Sequence, residues 1–442
     1  MFAPQHDMPV RHELLARLDA ARNETDKLFH FVKEDSLYER PIPERHRIVF
    51  YVGHLEAFDW NLLGGFIPGL RGFHTAFDRL FAFGIDPVDG GLPADQPEDW
   101  PALDEVRKYR ERIRETLDGA LSNPSFWRAT YDGFLPTTFL NVAIEHRLMH
   151  AETLAYMFHQ LPLEKKIHQG NVPAHTAQPL EFCMTAIPAG AATLGLVAHD
   201  GAFGWDNEFE AHRVHVPAFE IDRYKVTNGQ YLEFVDAGGY EERSLWDEAG
   251  WTWKTKQDLR HPLFWKWRND RWYSRTMFDE LPLPLDWPVF VSHAEAGAYA
   301  RWAGKQLPTE AQWHRAAYGT PAGEERVYPW GSEAPARTHG YFDFKRWDPV
   351  PVNAFARGSS AFGVGGLMGN GWEWTSSLFT PFEGFRPFSF YPGYSANFFD
   401  GKHYVLKGGS TRTAECMMRR SFRNWFQPHY PYVYAGFRCV SQ

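Results

Sequence analysis

The stretch Leu367-Met-Gly-Asn-Gly-Trp-Glu-Trp-Thr375 is typical of the second half of the chain, where Gly, Pro and Trp recur every few residues. The pattern returns at Gly201-Ala-Phe-Gly-Trp205, Pro329-Trp-Gly331 and Gly408-Gly-Ser410. Short segments separated by turn residues predict irregular β structure and loops folded around aromatic side chains. Three short helices are also expected in this half, at Thr227–Ala237, at His293–Ala303 and from Pro308 onward.

The first 165 residues follow a different pattern, because their apolar side chains recur at helical spacing over long segments. These segments are His12–Lys33, Arg45–Gly64, Leu103–Leu121 and Phe139–Leu161. Four amphipathic segments predict an up-down helix bundle. The connection over 66–100 is long and rich in Gly, Pro and Asp, which predicts a functional loop. The polar stretch 166–180 is expected to link this bundle, 1–165, to a second domain, 181–442.

Composition excludes several classes of protein. Of the 442 residues, 44% are hydrophobic and 23% are charged, which is globular and not disordered. A net charge of -9 argues against nucleic acid as a partner, since phosphate recognition needs a basic surface. No apolar run is long enough to span a bilayer, and the first ten residues lack a signal-peptide pattern. Three scattered cysteines fit a reducing cytoplasm, so we expect a cytoplasmic protein without a membrane partner.

Histidine provides the candidate metal ligands. The segment His146-Arg-Leu-Met-His150 places two imidazoles one helical turn apart on one face. A pair at this spacing is by itself also compatible with two ordinary hydrogen-bonded histidines. His54 lies in another predicted helix and is a candidate third ligand, because bundles place metal ligands on facing helices. Spacing alone leaves both non-heme iron and zinc open.

Other polar residues lie close to these histidines in the sequence. Glu56, Glu145 and Glu152 are candidates to orient a ligand imidazole, or are ordinary acidic side chains. His159 lies about two and a half turns beyond His150, on the opposite face of the helix, and is interpreted as structural.

Five stretches of the second half resemble the formylglycine-generating-enzyme family, whose fold is C-type-lectin-like. They are Phe219–Asn228, Ala300–Trp313, Leu367–Thr375, Leu406–Ser410 and Ala435–Cys439. The first half is similar to DinB-type four-helix bundles. A DinB bundle joined to this domain is the architecture of the ergothioneine sulfoxide synthases, which the whole chain therefore resembles. The implied fold class is an α bundle followed by an α+β domain.

The resemblance implies an Fe(II) centre. In that family the first bundle histidine and a later His-x-x-x-His-x-Glu bind iron, and the matching residues here are His54, His146 and His150, with Glu152 in the last position. Formylglycine enzymes bind copper through two cysteines, but the corresponding positions hold Thr413 and Met418. The second domain is therefore expected to keep that fold without copper chemistry.

The resemblance also implies the substrates. Family members use O2 to join sulfur to the imidazole C2 of hercynine, which is trimethyl-histidine. The family motif Phe-Arg-Asn-Trp is present at Phe422–Trp425, so Asn424 and Trp425 are predicted to contact the hercynine carboxylate. A fixed cation suits an aromatic box. Candidates for the box, each also compatible with core packing, are Phe379, Phe382, Phe385, Trp372 and Trp374.

Three departures from the family concern the chalcogen donor. Phe426 stands where some members place an Asp that contacts the thiol substrate. The stretch Ser376–Phe390 lacks the tyrosine that assists at iron-bound oxygen, and Tyr391 and Tyr394 lie just beyond it. The bundle stretch Leu80–Asp86 also lacks the tyrosines of another branch. The catalytic proton donor therefore stays unassigned, and the donor site is expected to be remodelled.

A selenosugar would account for that remodelling, which favours a selenoneine synthase that forms a C–Se bond. Candidate donor contacts are Phe426 and the bundle residues Asp78, Arg79, Phe83 and Asp86, where the charged residues are also compatible with plain surface ion pairs. The alternative enzyme is a sulfoxide synthase acting on cysteine or γ-glutamylcysteine. An alternative of another class is a non-catalytic ligand-binding module with a structural metal, which would need a fourth protein ligand.

Overall fold

The chain divides into two units, Met1–Gln169 and Gly170–Gln442. A computed structural model describes residues 7–67, 70, 72–85, 92–128, 130–168, 180, 182–198 and 201–442. The boundary lies inside the predicted linker, of which residues 169–179 lie outside the described ranges. Within those ranges, no helix combines the length and the apolar content needed to cross a bilayer.

Unit 1 is a helix bundle, as the sequence predicts. Its helices are α1 (Asp7–Phe29), α2 (Ile48–Gly64), α3 (Thr75–Phe83), α4 (Leu103–Leu121) and α5 (Pro136–Gln160). Helix α1 packs against α5, and α2 packs against α3, α4 and α5. The core forms where these apolar faces meet, and α2 lies at its centre.

Helix α4 shows why the long helices were predictable. Its two ends match the predicted segment, because Pro101 precedes it and one apolar stripe runs along its length. The residues of this stripe are all buried: Leu103, Val106, Tyr109, Ile113, Leu117 and Leu121. Charged side chains fill the other faces, so burial of the stripe fixes how the helix is rotated in the bundle.

Helix α3 corrects the prediction of a loop over 66–100. The His74 side chain accepts a hydrogen bond from the Phe77 amide at its start, and Gly84 ends it with a φ of 76°. Phe81 is its buried residue. At nine residues, α3 is shorter than the 11–18-residue window over which helical periodicity is judged, which explains the missed helix.

Unit 2 is built from short elements, as expected. Its helices are α6 (Asn228–Asp236), α7 (Glu248–Lys256), α8 (His293–Trp302) and α9 (Glu310–Tyr318). Its strands are β1 (Met184–Ile187), β2 (Gly190–Leu194), β3 (His212–Val216), β4 (Phe219–Asp222), β5 (Trp265–Arg268), β6 (Arg271–Arg275), β7 (Glu280–Pro282), β8 (Trp372–Leu378), β9 (Tyr404–Lys407), β10 (Asn424–Phe426), β11 (Ala435–Gly436) and β12 (Val440–Ser441). Helix α7 was not predicted.

The strands of unit 2 form four small sheets in the described part of the chain, with strand orders β1-β4-β12, β10-β9-β8-β11, β2-β3 and β5-β6-β7. In the four-stranded sheet, β9 pairs antiparallel with both β8 and β10, and β11 pairs parallel with β8. This sheet carries Trp372 and Trp374 at one strand and Asn424, Trp425 and Phe426 at its edge. The predicted carboxylate contacts therefore lie on a sheet edge.

A buried ion cluster holds the core of unit 2 together. Arg438 donates to Glu373 at 2.6 and 2.8 Å, and the Trp313 indole donates to the same carboxylate at 2.9 Å. The Lys225 ammonium lies 3.1 Å from Glu373. Burial alone would raise the pKa of Glu373, but the two cations outweigh it and lower that pKa. These four residues come from four of the stretches that carry the family resemblance.

Candidate metal centre

Three imidazoles converge in unit 1. His54, His146 and His150 each offer a ring nitrogen, and these atoms lie within 4.8 Å of one another. The Nε2 atom of His150 is 3.2 Å from the Nε2 of His54 and 3.2 Å from the Nε2 of His146. Two nitrogens that share an ion at about 2.1 Å lie about 3.0–3.4 Å apart when they subtend about 90–110°. Two of the three pairs have this spacing and the third lies within 4.8 Å, so the three side chains are candidates to share one metal ion.

Two facing helices position these ligands. His54 comes from α2, and the other two come from successive turns of α5. Aromatic rings hold the imidazoles in place, since Phe58 stacks on His146 at 3.4 Å and Phe50 stacks on His54 at 4.6 Å. The ring planes are fixed before any metal binds, which reduces the ordering cost of binding.

A backbone carbonyl sets the protonation of one ligand. The Nδ1–H of His54 donates to the Phe81 carbonyl at 2.6 Å. With its proton on Nδ1, the neutral ring presents the lone pair of Nε2, which is the atom that faces His150. Phe81 belongs to α3, the helix that sequence analysis missed.

The triad is electrically neutral at physiological pH. Burial lowers the pKa of His54 to about 4, partly offset by the hydrogen bond to Phe81. Burial also lowers the pKa of His146 and His150 well below the usual value, and the neighbouring imidazoles add to the effect. Neutral imidazoles are the form that binds metal.

An ion cluster joins the two ligand-bearing helices. The Arg147 guanidinium donates to the Leu55 carbonyl at 2.9 Å, to Glu56 at 3.1 Å and to Asp59 at 2.7 Å. Arg114 binds the other oxygen of Glu56. Burial would raise the pKa of Glu56, but the surrounding guanidinium groups lower it to about 2. Glu56 thus pairs with arginines here; Glu145 and Glu152 are buried, as is His159.

The predicted donor contacts of unit 1 lie on α3. Asp78 accepts a hydrogen bond from the Tyr109 hydroxyl at 2.7 Å, which gives its carboxylate a structural partner. Arg79 is exposed, and Phe83 is 67% exposed. Asp86 lies outside the described residues. The roles of these residues toward a donor stay predictions.

Phe379, Phe382 and Trp425, among the predicted hercynine contacts of unit 2, belong to one aromatic cluster, whereas Trp374 is fully buried and donates to the Val291 carbonyl. Phe379 is fully buried and stacks on Trp425 with centroids 4.1 Å apart, so one face of the indole packs on the Phe379 ring. The Arg423 guanidinium lies over Phe379 at 4.9 Å and over Phe382 at 4.1 Å. The Asn424 side-chain oxygen accepts from the Trp425 amide at 2.9 Å, which leaves its amide nitrogen to donate elsewhere.

Tyr394 extends this cluster, and Phe426, which follows Trp425 in β10, has its own aromatic partner. Phe426 stacks on Tyr430 with centroids 5.2 Å apart and an interplanar angle of 5°. Tyr394 stacks on the buried Trp205 at 3.8 Å, and its ring meets Trp425 edge-on at 5.4 Å. Thr413 and Met418, at the positions of the copper-binding cysteines, are fully buried.

Sequence reasoning missed two features of the site, of which only the second had a signal in the sequence. The Phe81 carbonyl is a backbone group, and any residue type could supply it. The Arg147 cluster could have been suspected, because an arginine between two predicted ligands on an apolar helix face needs a buried acidic partner.

Each of the two units matches a known protein family. Residues 17–154 match the DinB superfamily, and residues 169–442 match the sulfatase-modifying factor enzyme 1-like domain. Hercynine oxygenase of Mycobacterium tuberculosis is 34% identical, over 98% of this chain and 99% of that protein. Hercynine oxygenase of Mycolicibacterium smegmatis is 36% identical, over 98% and 99%. Ergothioneine biosynthesis protein 1 of Neurospora crassa is 29% identical, over 92% of this chain and 55% of that protein.

Proposed function

The chain belongs to the ergothioneine sulfoxide synthase-like family, whose members are oxidoreductases, and from this premise we propose that it is an iron enzyme that couples hercynine to a chalcogen donor. The reaction uses O2 and forms a bond from the imidazole C2 of hercynine to the donor atom. The names of the relatives support hercynine as substrate and sulfur as the donor atom. They favour the sulfoxide synthase, the alternative in the sequence analysis, over the selenoneine synthase.

The convergence of His54, His146 and His150 carries this proposal. Within the described part of the chain, the group has three protein ligands, fewer than the four of a structural zinc site. This difference argues against the non-catalytic module with a structural metal. It supports an ion that keeps positions for substrate and O2.

Bound Fe(II) would supply the electrons that activate O2 and would acidify a coordinated thiol or selenol. The chain's own contribution is positioning. The three neutral imidazoles hold the ion, the Phe81 carbonyl keeps the His54 proton on Nδ1, and the stacked rings of Phe50 and Phe58 fix two ligand planes. The proton donor for the reaction stays unassigned.

Unit 2 is proposed to recognise hercynine. The Asn424 amide and the Trp425 indole N–H can each donate to a carboxylate, and the face of the Trp425 ring can pack against a trimethylammonium group. Arg423 is less suited to reach a ligand, because it is buried and donates to Glu310 at 3.1 Å. Its guanidinium instead holds Phe379 and Phe382 in place.

A selenosugar remains a second candidate donor because of one observation. Phe426 presents an aromatic face backed by Tyr430, where an amino-acid thiol would be served better by a carboxylate. Sugar rings pack their apolar faces on such aromatic surfaces. Phe426 therefore favours a donor without an ammonium group.

Oxygen uptake tests the proposal. Protein loaded with Fe(II) is given hercynine with cysteine, γ-glutamylcysteine or a selenosugar in parallel, and products are identified by mass spectrometry. We expect hercynine-dependent uptake and a C2-coupled product with at least one donor. The matched controls are His150→Ala, which removes a ligand, and His30→Ala, which removes an exposed imidazole that donates to the Asp26 carbonyl. No coupled product with any donor would refute the proposal.

A further inference from the structure

We propose that α3 is a positioning element for the metal centre, in which the contact of Phe81 with Gly53 aims the Phe81 carbonyl at His54. The inference rests on the proposed metal site and adds a role for residues that do not bind the ion. It concerns two contacts, one at each end of the last turn of α3.

The first contact requires glycine at position 53. A Cβ atom there would lie 2.5 Å from the Phe81 ring carbons, closer than real carbon contacts allow. Gly53 precedes His54 in α2, and Phe81 is fully buried. Because Gly53 has no side chain, the ring packs directly on the α2 backbone. The carbonyl of the same residue then lies 2.6 Å from the neighbouring imidazole nitrogen.

The second contact fixes the end of α3. Gly84 has a φ of 76°, and its amide donates to the Leu80 carbonyl at 2.7 Å. A Cβ at Gly84 would lie 2.2 Å from the His46 ring. That ring packs on Phe50 at 4.2 Å, and Phe50 stacks on His54 at 4.6 Å. Both contacts of α3 therefore lead to the same ligand.

The Phe81 carbonyl is suited to this task by its place in the helix. The last four carbonyls of a helix have no intrahelical partner, and they form the negative end of the helix dipole. Phe81 is among the last four residues of α3. Its carbonyl therefore accepts the Nδ1–H of His54, which selects one tautomer and makes Nε2 a stronger donor to a metal.

Cobalt(II) binding to the metal-free full chain tests this role, with affinity measured by chelator competition and the visible absorption spectrum as a second readout. We expect Gly53→Ala to weaken affinity by about tenfold or more, as loss of such a partner does elsewhere, and to change the spectrum. Gly119→Ala is the matched control, because it lies in a helix of the same unit with nothing within 4 Å of the added methyl. It should bind cobalt like wild type.

A rescue experiment separates positioning from a general folding defect. Phe81→Ala removes the ring that a Cβ at position 53 would meet, while the backbone carbonyl stays. In that background, adding Gly53→Ala should change cobalt affinity by less than about threefold, because neighbouring sites couple. Thermal unfolding of each metal-free variant shows whether it is folded.

The outcomes distinguish this inference from the proposed function. If wild type does not bind cobalt, the metal site itself is wrong. If wild type binds cobalt and Gly53→Ala binds it equally well, the role of α3 is wrong. A folded Gly53→Ala/Phe81→Ala protein that binds tenfold more weakly than Phe81→Ala would also overturn it.

Discussion

At the scale of single residues, His54 donates a hydrogen bond through one ring nitrogen and is predicted to bind the metal through the other. Its Nδ1–H is engaged by a carbonyl at 2.6 Å, and its Nε2 faces His150. Burial keeps the ring neutral by lowering its pKa to about 4. Protonation would place a buried charge beside two further imidazoles, so the proton is strongly disfavoured.

This neutrality predicts the pH dependence of stability. The unfolded chain protonates His54 below its ordinary pKa of about 6.5, whereas the folded metal-free chain does not, so proton uptake favours unfolding as pH falls towards 4. Stability should therefore be lost across that window, by up to about 3 kcal/mol from His54. Chemical unfolding of metal-free wild type and His54→Gln measures the difference. Identical pH slopes would contradict the pKa shift.

A substitution at Phe426 tests which chalcogen donor the protein uses. Phe426→Asp introduces a carboxylate at the edge strand β10, and an ammonium-bearing donor gains a charge-assisted hydrogen bond there. We expect kcat/KM for γ-glutamylcysteine, relative to a selenosugar, to rise by about tenfold. Phe426→Tyr keeps the stack on Tyr430 and should leave the ratio unchanged. Product analysis with both donors present gives the ratio, and no change in Phe426→Asp would exclude this residue from the donor site.

At the scale of elements, the sequence predicted the helices whose apolar residues recur at helical spacing over a long segment. Helix α4 was predicted to the residue because its apolar stripe is continuous, whereas α3 is too short to show one. The His146–His150 pair was visible from spacing alone. The meeting of this pair with His54 was not, because it depends on how α2 and α5 pack, and family resemblance was needed to select it.

Arg147 predicts how strongly α2 and α5 are coupled. Arg147→Met removes the guanidinium that binds Leu55, Glu56 and Asp59, and leaves buried carboxylates without that cation. Breaking a buried ion pair in this way costs about 3–5 kcal/mol. Urea unfolding should show that loss, while Lys108→Met, at an exposed position of α4, should stay within about 0.5 kcal/mol of wild type. A small effect at Arg147 would mean that apolar packing alone fixes the two helices.

At the scale of the whole molecule, the stretches of unit 2 that identify its fold are not the residues proposed to recognise the ligand. Glu373, Arg438, Trp313 and Lys225 belong to the stretches that identify the fold, and they form its buried ion cluster. These stretches therefore predict architecture, whereas the separate Phe422–Trp425 motif predicts ligand contacts. Recognition is proposed for Asn424, Trp425 and Phe426 on the sheet edge, outside those stretches.

In each unit, the residues that hold the scaffold together differ from those predicted to contact a chalcogen donor. The scaffold depends on buried charges and short motifs, which tolerate little change without loss of stability. The predicted donor contacts include exposed or partly exposed positions such as Phe83 and Phe426, where substitution costs less stability. The identity of the chalcogen donor is therefore the property least determined by the fold.

Anaerobic titration of the metal-free chain with Fe(II) tests the central claim most directly. If His54, His146 and His150 bind one ion, wild type and His30→Ala take up stoichiometric iron, and His150→Ala takes up none. Iron retained by His150→Ala at the wild-type ratio, in a protein with a native circular dichroism spectrum, would contradict the assignment of the metal centre.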